Sequence, residues 1–325
     1  MDSKKDKPYF FLGENLKSII GDEVILFNKF LLRRPDKEQS SFLKLFIEKN
    51  YGILTSNSPF LKYEYEPLDS EESEKSIDSL KSRLKAIDNF WVVEHPYERM
   101  PWFVAPILSL SSLNLTVLLQ WMVLKSGPVY LSINSLLTKV FYHDYEKLKD
   151  HSLIIDRSYI EELNLIENTF QSYLSHTKNP TEFKKTIEDF ISLKEISIES
   201  PFRFLCYFSI LESLLTHSKQ RLSSNTTIAF QLQTKLNLIN NRLRTPIDFL
   251  SYFKVPDTVN FELIIEKLYH YRSDIAHGNV SDFDKDLFIL KGKENSALRF
   301  IHEVTRNVIL QALLEPDLIK DLKSC

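Results

Sequence analysis

The chain has 325 residues, of which 43% are hydrophobic and 26% charged, with a formal net charge of −3. This is globular composition, which excludes disordered and fibrous classes, and at ~100–200 residues per domain the length predicts about two domains. With only 6 glycines, and no GxGxxG or GxxxxGK(S/T) run, Gly-rich nucleotide-binding loops are excluded too, and a charge so near zero leaves any polyanion partner to a local patch.

Met1 to Lys7 is charged and leads only into the short apolar patch Tyr9 to Leu12, so no secretory leader is expected. Val24 to Phe27 and Tyr51 to Leu54 read as strands, and Ser41 to Lys49 as a helix. Ile77, Leu80, Leu84 and Ile87 recur at helical spacing, which predicts an amphipathic helix over about 71–90. His95 to Pro101 breaks it with two prolines. Met100 to Leu124 carries no charge and is long enough to span a bilayer. Pro106, Ser109, Ser111, Ser112, Asn114, Thr116 and Gln120 interrupt it throughout, which favours a buried strand or helix over a membrane span. Lys125 to Pro128 reads as a turn into a second apolar run, Val129 to Ile133.

After about residue 155 glycine is absent until Gly278, and helical periodicity takes over. Helix starts are expected at Ser158, with acids following, at Asn179-Pro180-Thr181, and at Ser200-Pro201. Further helices are expected over about Thr227 to Leu243, Asn260 to Ala276 and Asn295 to Leu314. Short loops between them predict an antiparallel helical bundle. The expected organisation is a mixed α+β domain over 1–155 and a helical bundle over 156–325, mainly α overall. Cys206 and Cys325 are the only cysteines and make neither a disulfide framework nor a metal cluster, which predicts a reducing, cytoplasmic setting.

The chemistry concentrates in Leu268-Tyr269-His270-Tyr271-Arg272-Ser273-Asp274-Ile275-Ala276-His277-Gly278, at the end of a predicted helix that Gly278 is placed to close. On one continuous helix, Arg272 and His277 would diverge by about 140°. They converge only where the helix bends between them or where a second copy of the chain supplies partner groups. Histidine suits proton transfer near neutral pH, and arginine grips phosphate oxygens with a planar fork. An arginine that braces the fold and a histidine that complements the helix dipole would leave the same pattern.

The Arg-x4-His spacing, the surrounding Leu-Tyr-x-x-Arg-Ser-x-Ile-x-His-Gly and the upstream Ile210-Leu211-Glu212-Ser213-Leu214-Leu215 resemble the HEPN superfamily, in its Apea-like branch, over about residues 158–315. The resemblance implies a HEPN-type bundle acting as a homodimer, and a metal-independent endoribonuclease that needs no cofactor. It implies Arg272 and His277 in a cleft at the dimer interface, with Glu212 supporting the arginine. It also implies a part in phage defence or growth arrest, with residues 1–155 sensing a trigger, such as an activating phage or host protein, or positioning substrate. The first 155 residues resemble no family.

Beside the motif, Tyr269, Tyr271 and Ser273 offer hydrogen bonds or base stacking to RNA, although such aromatic residues more often pack a core. Ser213 to Ile247 contains no acid but holds Lys219, Arg221, Lys235, Arg242 and Arg244. That is a local basic field for a polyanion, or equally a solvated helix face paired with acids elsewhere. His143, Asp144 and His151 lack the supporting spacing of a metal site. Asp282 to Asp286 lacks the glycine and distant glutamate of a calcium loop. His217 reads as a helix-end histidine and His270 as a surface one. Two other functions fit the sequence: a non-catalytic helical module for dimerisation or protein binding, and a membrane-associated effector using 100–124.

Overall fold

The computed structural model describes residues 7–13, 16–56, 90–124, 127–132, 153–177, 181–196, 200–216, 227–256, 258–279, 287, 290 and 294–324. The helix expected over 71–90 falls almost wholly outside these residues. The chain divides into two compact units, Met1–Glu167 and Asn168–Cys325.

The first unit is rich in strands. Strands β1 (Tyr9–Leu12), β3 (Glu23–Leu26), β4 (Phe30–Arg33), β5 (Val92–Glu94), β6 (Val117–Leu124) and β7 (Gly127–Ser132) form an antiparallel sheet in the order β3-β4-β5-β1-β6-β7. A small parallel pair joins β2 (Leu16–Ser18) to β8 (Leu153–Ile155). Among its described residues the unit's helices are α1 (Lys37–Ser56) and α2 (Val104–Leu110), and α3 (Arg157–His176) begins in it. Every residue of β1 is buried, so the central strand is covered on both faces. On one face Tyr9, Phe11, Val92, Leu118 and Leu119 pack with Leu43 of α1, flanked by Phe42, Phe46 and Trp121. Each such buried apolar side chain contributes about 1.5–3 kcal/mol.

The uncharged segment 100–124 becomes the short helix α2 and the eight-residue strand β6. Its polar interruptions are used internally: the Ser111 hydroxyl lies 2.7 Å from the Leu108 carbonyl and 2.9 Å from the Tyr159 hydroxyl. Among the described residues no helix is long and apolar enough to cross a membrane. Tyr51 to Leu54 lies in α1, not in a strand. Two β-favouring residues, Tyr51 and Ile53, are outweighed by the helix that precedes them, which Asp36 caps through Gln39.

His95 follows β5, only 2% exposed, among Phe10, Phe30 and Tyr97. Neither imidazole nitrogen makes a well-formed hydrogen bond, and burial pushes its pKa down to about 4.

The second unit is helical. After α3 come α4 (Thr181–Ser192), α5 (Pro201–Leu215), α6 (Ile228–Arg242), α7 (Phe261–Ala276), α8 (Glu294–Leu314) and α9 (Pro316–Ser324). Proline opens α5, the Thr227 hydroxyl caps α6, and the Asn260 side chain caps α7. The cap of α3 is Asp156, which accepts from the Tyr159 amide, while Ser158 donates to Asp156 in turn. Helix α5 is the unit's axis and packs against α4, α6, α7, α8 and α9. It buries Phe204, Tyr207, Phe208, Leu211 and Leu215 at full or nearly full depth. The molecule is thus mostly helical with a strand-rich N-terminal region, as expected from the sequence.

Candidate functional site

Helix α7 ends as its sequence dictates. The Gly278 amide donates to the Ile275 carbonyl and the Asn279 amide to the Asp274 carbonyl, with Gly278 at φ +68. This is the paired closure that a left-handed glycine permits. His277 is therefore the last, non-helical residue of the turn, at φ −90 and ψ 2, and it is exposed.

One turn back, Arg272 points toward α5. Its Nη2 lies 2.9 Å from Glu212 Oε1 and donates to Oε2 at 3.1 Å. These residues are 60 positions apart in the chain, and packing of α5 on α7 brings them together. The Arg272 guanidinium also sits 5.5 Å over the Tyr269 ring, and the Tyr269 hydroxyl acts electrostatically on the Glu212 carboxylate. Arg272 Nε is buried without an acceptor, so only part of the guanidinium is spent on Glu212. Burial raises the Glu212 pKa above the ordinary carboxylate value, and Arg272 and Tyr269 pull it back only partly. Burial also raises the Tyr269 phenol, with Glu212 adding to it. Arg272, Glu212 and Tyr269 thus form one partly buried cluster. His277 is absent from the contacts that hold this cluster together.

The remaining sequence-derived candidates divide. Tyr271 is only 9% exposed and meets Phe204 edge-to-face, so it packs the core. Ser273 is half-buried and its carbonyl accepts from the His277 amide. Lys235 is buried, its ammonium donating to the Leu215 carbonyl at 2.9 Å and to Gln231 Oε1 at 3.3 Å. A cation placed there satisfies the C-terminal end of α5 and does not face solvent. Arg242 is exposed but forks onto Glu315 at 2.5 and 2.6 Å. Arg244 is exposed. Lys219, Arg221 and His217 lie outside the described residues, as do His143, Asp144, His151 and Asp282 to Asp286. Among the described residues the acid-free stretch therefore does not present one open basic face.

Sequence reasoning missed a groove of about 860 Å³ in the second unit, lined mainly by α3, α4, α5 and α9, with Ile228 of α6 and Ala312 of α8. Glu212 forms part of its wall. The periodic Pro316–Ser324 segment was the available signal, because α9 supplies one rim. Comparison with protein-family models, with curated proteins and with solved structures gave no match.

Proposed function

We propose that the chain is a metal-independent endoribonuclease of HEPN type, acting as a homodimer in phage defence or growth arrest. The observation that supports the reading is the meeting of Arg272 with Glu212, the two positions the motif resemblance couples, across separate helices of one bundle.

RNA carries its own nucleophile, the 2′-hydroxyl beside each phosphodiester. His277, at an exposed helix end, takes the 2′-hydroxyl proton. Arg272, oriented by Glu212 and Tyr269, meets the charge that builds on the phosphoryl oxygens. The 5′-oxygen leaves as its proton is returned, and a 2′,3′-cyclic phosphate and a 5′-hydroxyl remain. The atoms balance without water or metal in this step.

The test is incubation of the full chain, and of Arg272→Ala and His277→Ala forms, with total RNA in EDTA, reading cyclic-phosphate ends. Cleavage by the wild type, and a loss of about 100-fold or more in each variant, is expected. Cleavage that survives both substitutions removes the site, and cleavage abolished by EDTA removes the metal-free mechanism. The second reading is a non-catalytic dimerisation or protein-binding bundle. It is favoured by the separation of His277 from the Arg272–Glu212 cluster within one chain, and an uncleaved RNA pool with a stable dimer would support it.

A further inference from the structure

The groove of the second unit has a composition that its apolar packing does not require. Tyr173 and Phe183, with ring centroids 5.1 Å apart, form an aromatic wall. Lys185 of α4 and Lys320 and Lys323 of α9 stand on the rims. Ser209, Glu212, Ser213 and Thr216 run as a polar seam along the α5 side, at the spacing of one helix face. Their hydroxyls donate to the helix backbone: Ser209 to Leu205, Ser213 to Ile210 and Thr216 to Glu212. The hydroxyl lone pairs then remain as acceptors toward the groove.

Charge decides what such a groove takes. Lys185, Lys320 and Lys323 face two carboxylates, Asp189 and Glu212, and Glu212 is already matched by Arg272. The balance is positive, so the complementary occupant is an anion. An aromatic wall between cationic rims suits a ligand in which flat rings alternate with phosphates. The volume of about 860 Å³ is enough for a few nucleotide units but not for a duplex.

We propose that this groove is the track for single-stranded RNA. The backbone phosphates lie along Lys185, Lys320 and Lys323, and a base lies against Tyr173 and Phe183. The inference rests on the ribonuclease reading for its choice of RNA. It goes beyond it by assigning substrate binding to α3, α4 and α9, outside the Arg272–His277 motif. Glu212 joins the two places, since one carboxylate both lines the groove and holds Arg272. A strand seated in the groove therefore passes directly beside the group that orients the arginine.

The probe is a fluorescein-labelled, 2′-O-methylated oligouridine, which cannot be cleaved, so binding is read apart from chemistry. Its affinity for the full chain is measured by anisotropy over a salt series. Lys185→Ala, Lys320→Ala and Lys323→Ala together are expected to weaken binding roughly tenfold and to make the log–log salt slope shallower by about 2. A charge-matched control at the exposed Lys184, Lys254 and Arg299, all outside the groove, is expected to leave the slope as it was. Single Lys185→Glu and Lys320→Glu forms carry the test if the triple form does not fold. Wild-type affinity in the groove variants, an equal loss in the control, or no binding by the wild type overturns the proposal. Groove-dependent binding without cleavage of natural RNA leaves the track standing and removes the ribonuclease reading. Cleavage that is indifferent to the three lysines does the reverse.

Discussion

Tyr269 shows how a single side chain sets the state of its neighbours. Its hydroxyl acts on the Glu212 carboxylate and its ring lies beneath the Arg272 guanidinium. Burial already pushes the Glu212 pKa up, and the phenol is one of two groups that hold it down. Tyr269→Phe removes that influence, so the carboxylate protonates at higher pH and releases Arg272 there. The acid limb of the kcat profile is expected to move to higher pH, with KM for short RNA little changed, whereas a merely structural role would lower activity equally at every pH. His95 carries the second prediction at this scale. Its folded pKa of about 4 lies below the ordinary 6.5. Above pH 6.5 the imidazole is neutral in the folded and unfolded chain alike. Below it the unfolded chain binds the proton first, so stability falls between 6.5 and about 4 and the loss is complete below that. The loss is on the order of 3 kcal/mol. Denaturant melts across this window are expected to show it, and His95→Phe, which suits the ring-lined site, is expected to flatten it. Arg272 and Glu212 were each singled out in the sequence, by the Arg-x4-His spacing and by the upstream Leu-Glu-x-Leu-Leu run, but their meeting across 60 positions is a tertiary contact that local sequence does not report. The place of Lys235 was not legible, because a cation in an acid-free stretch looks the same whether it faces water or closes a helix end.

Helix ends are the features of the second unit that the sequence announces most directly. Ser200-Pro201, Thr227, Asn260 and Gly278 all announce the ends of α5, α6 and α7 in sequence, and the helices begin or stop within a few residues of them. Capping is a local interaction, so local sequence reports it. Strand β1 was legible only as an apolar patch, because its partners β5 and β6 lie far along the chain. Helix α9 is short, and its periodic segment Pro316–Ser324, with Ile319 its one buried side chain, shows a helix in sequence but not that it rims a groove. On the proposed mechanism, Gly278 is the helix end that bears on function. At φ +68 any side chain is strained, although a Cβ there meets nothing within 4 Å. Gly278→Ala therefore costs about 1 kcal/mol through the backbone alone. Relieving that strain reopens the last turn and displaces His277. Urea melts are expected to show the small loss, RNA affinity to hold, and kcat to fall about tenfold or more, the size of a misplaced proton-transfer group. Gly278→Asn, which tolerates the left-handed region better, is expected to recover part of it. A kcat unchanged in Gly278→Ala would detach His277 from the chemistry.

The scale of the whole molecule decides whether Arg272 and His277 act within one chain. Inside the second unit Arg272 turns toward α5 and Glu212, while His277 stands exposed at the end of α7. Two copies related by a twofold axis would contribute the same surfaces to each other, so each of two clefts can take its arginine from one chain and its histidine from the other. This arrangement has a consequence that single variants do not. Arg272→Ala chains and His277→Ala chains are each inactive alone. When they are mixed and allowed to exchange, every mixed dimer holds one cleft with both native groups and one with neither. Random pairing makes half the dimers mixed, so about a quarter of wild-type cleavage is expected to return. The regained activity is expected to grow with exchange time and to fall on dilution, as sedimentation shows dimers dissociating. If both groups serve the same cleft from one chain, mixing restores nothing, because each chain's cleft stays short of one group. Activity that is proportional to concentration down to the monomeric range would place the whole site within a single bundle.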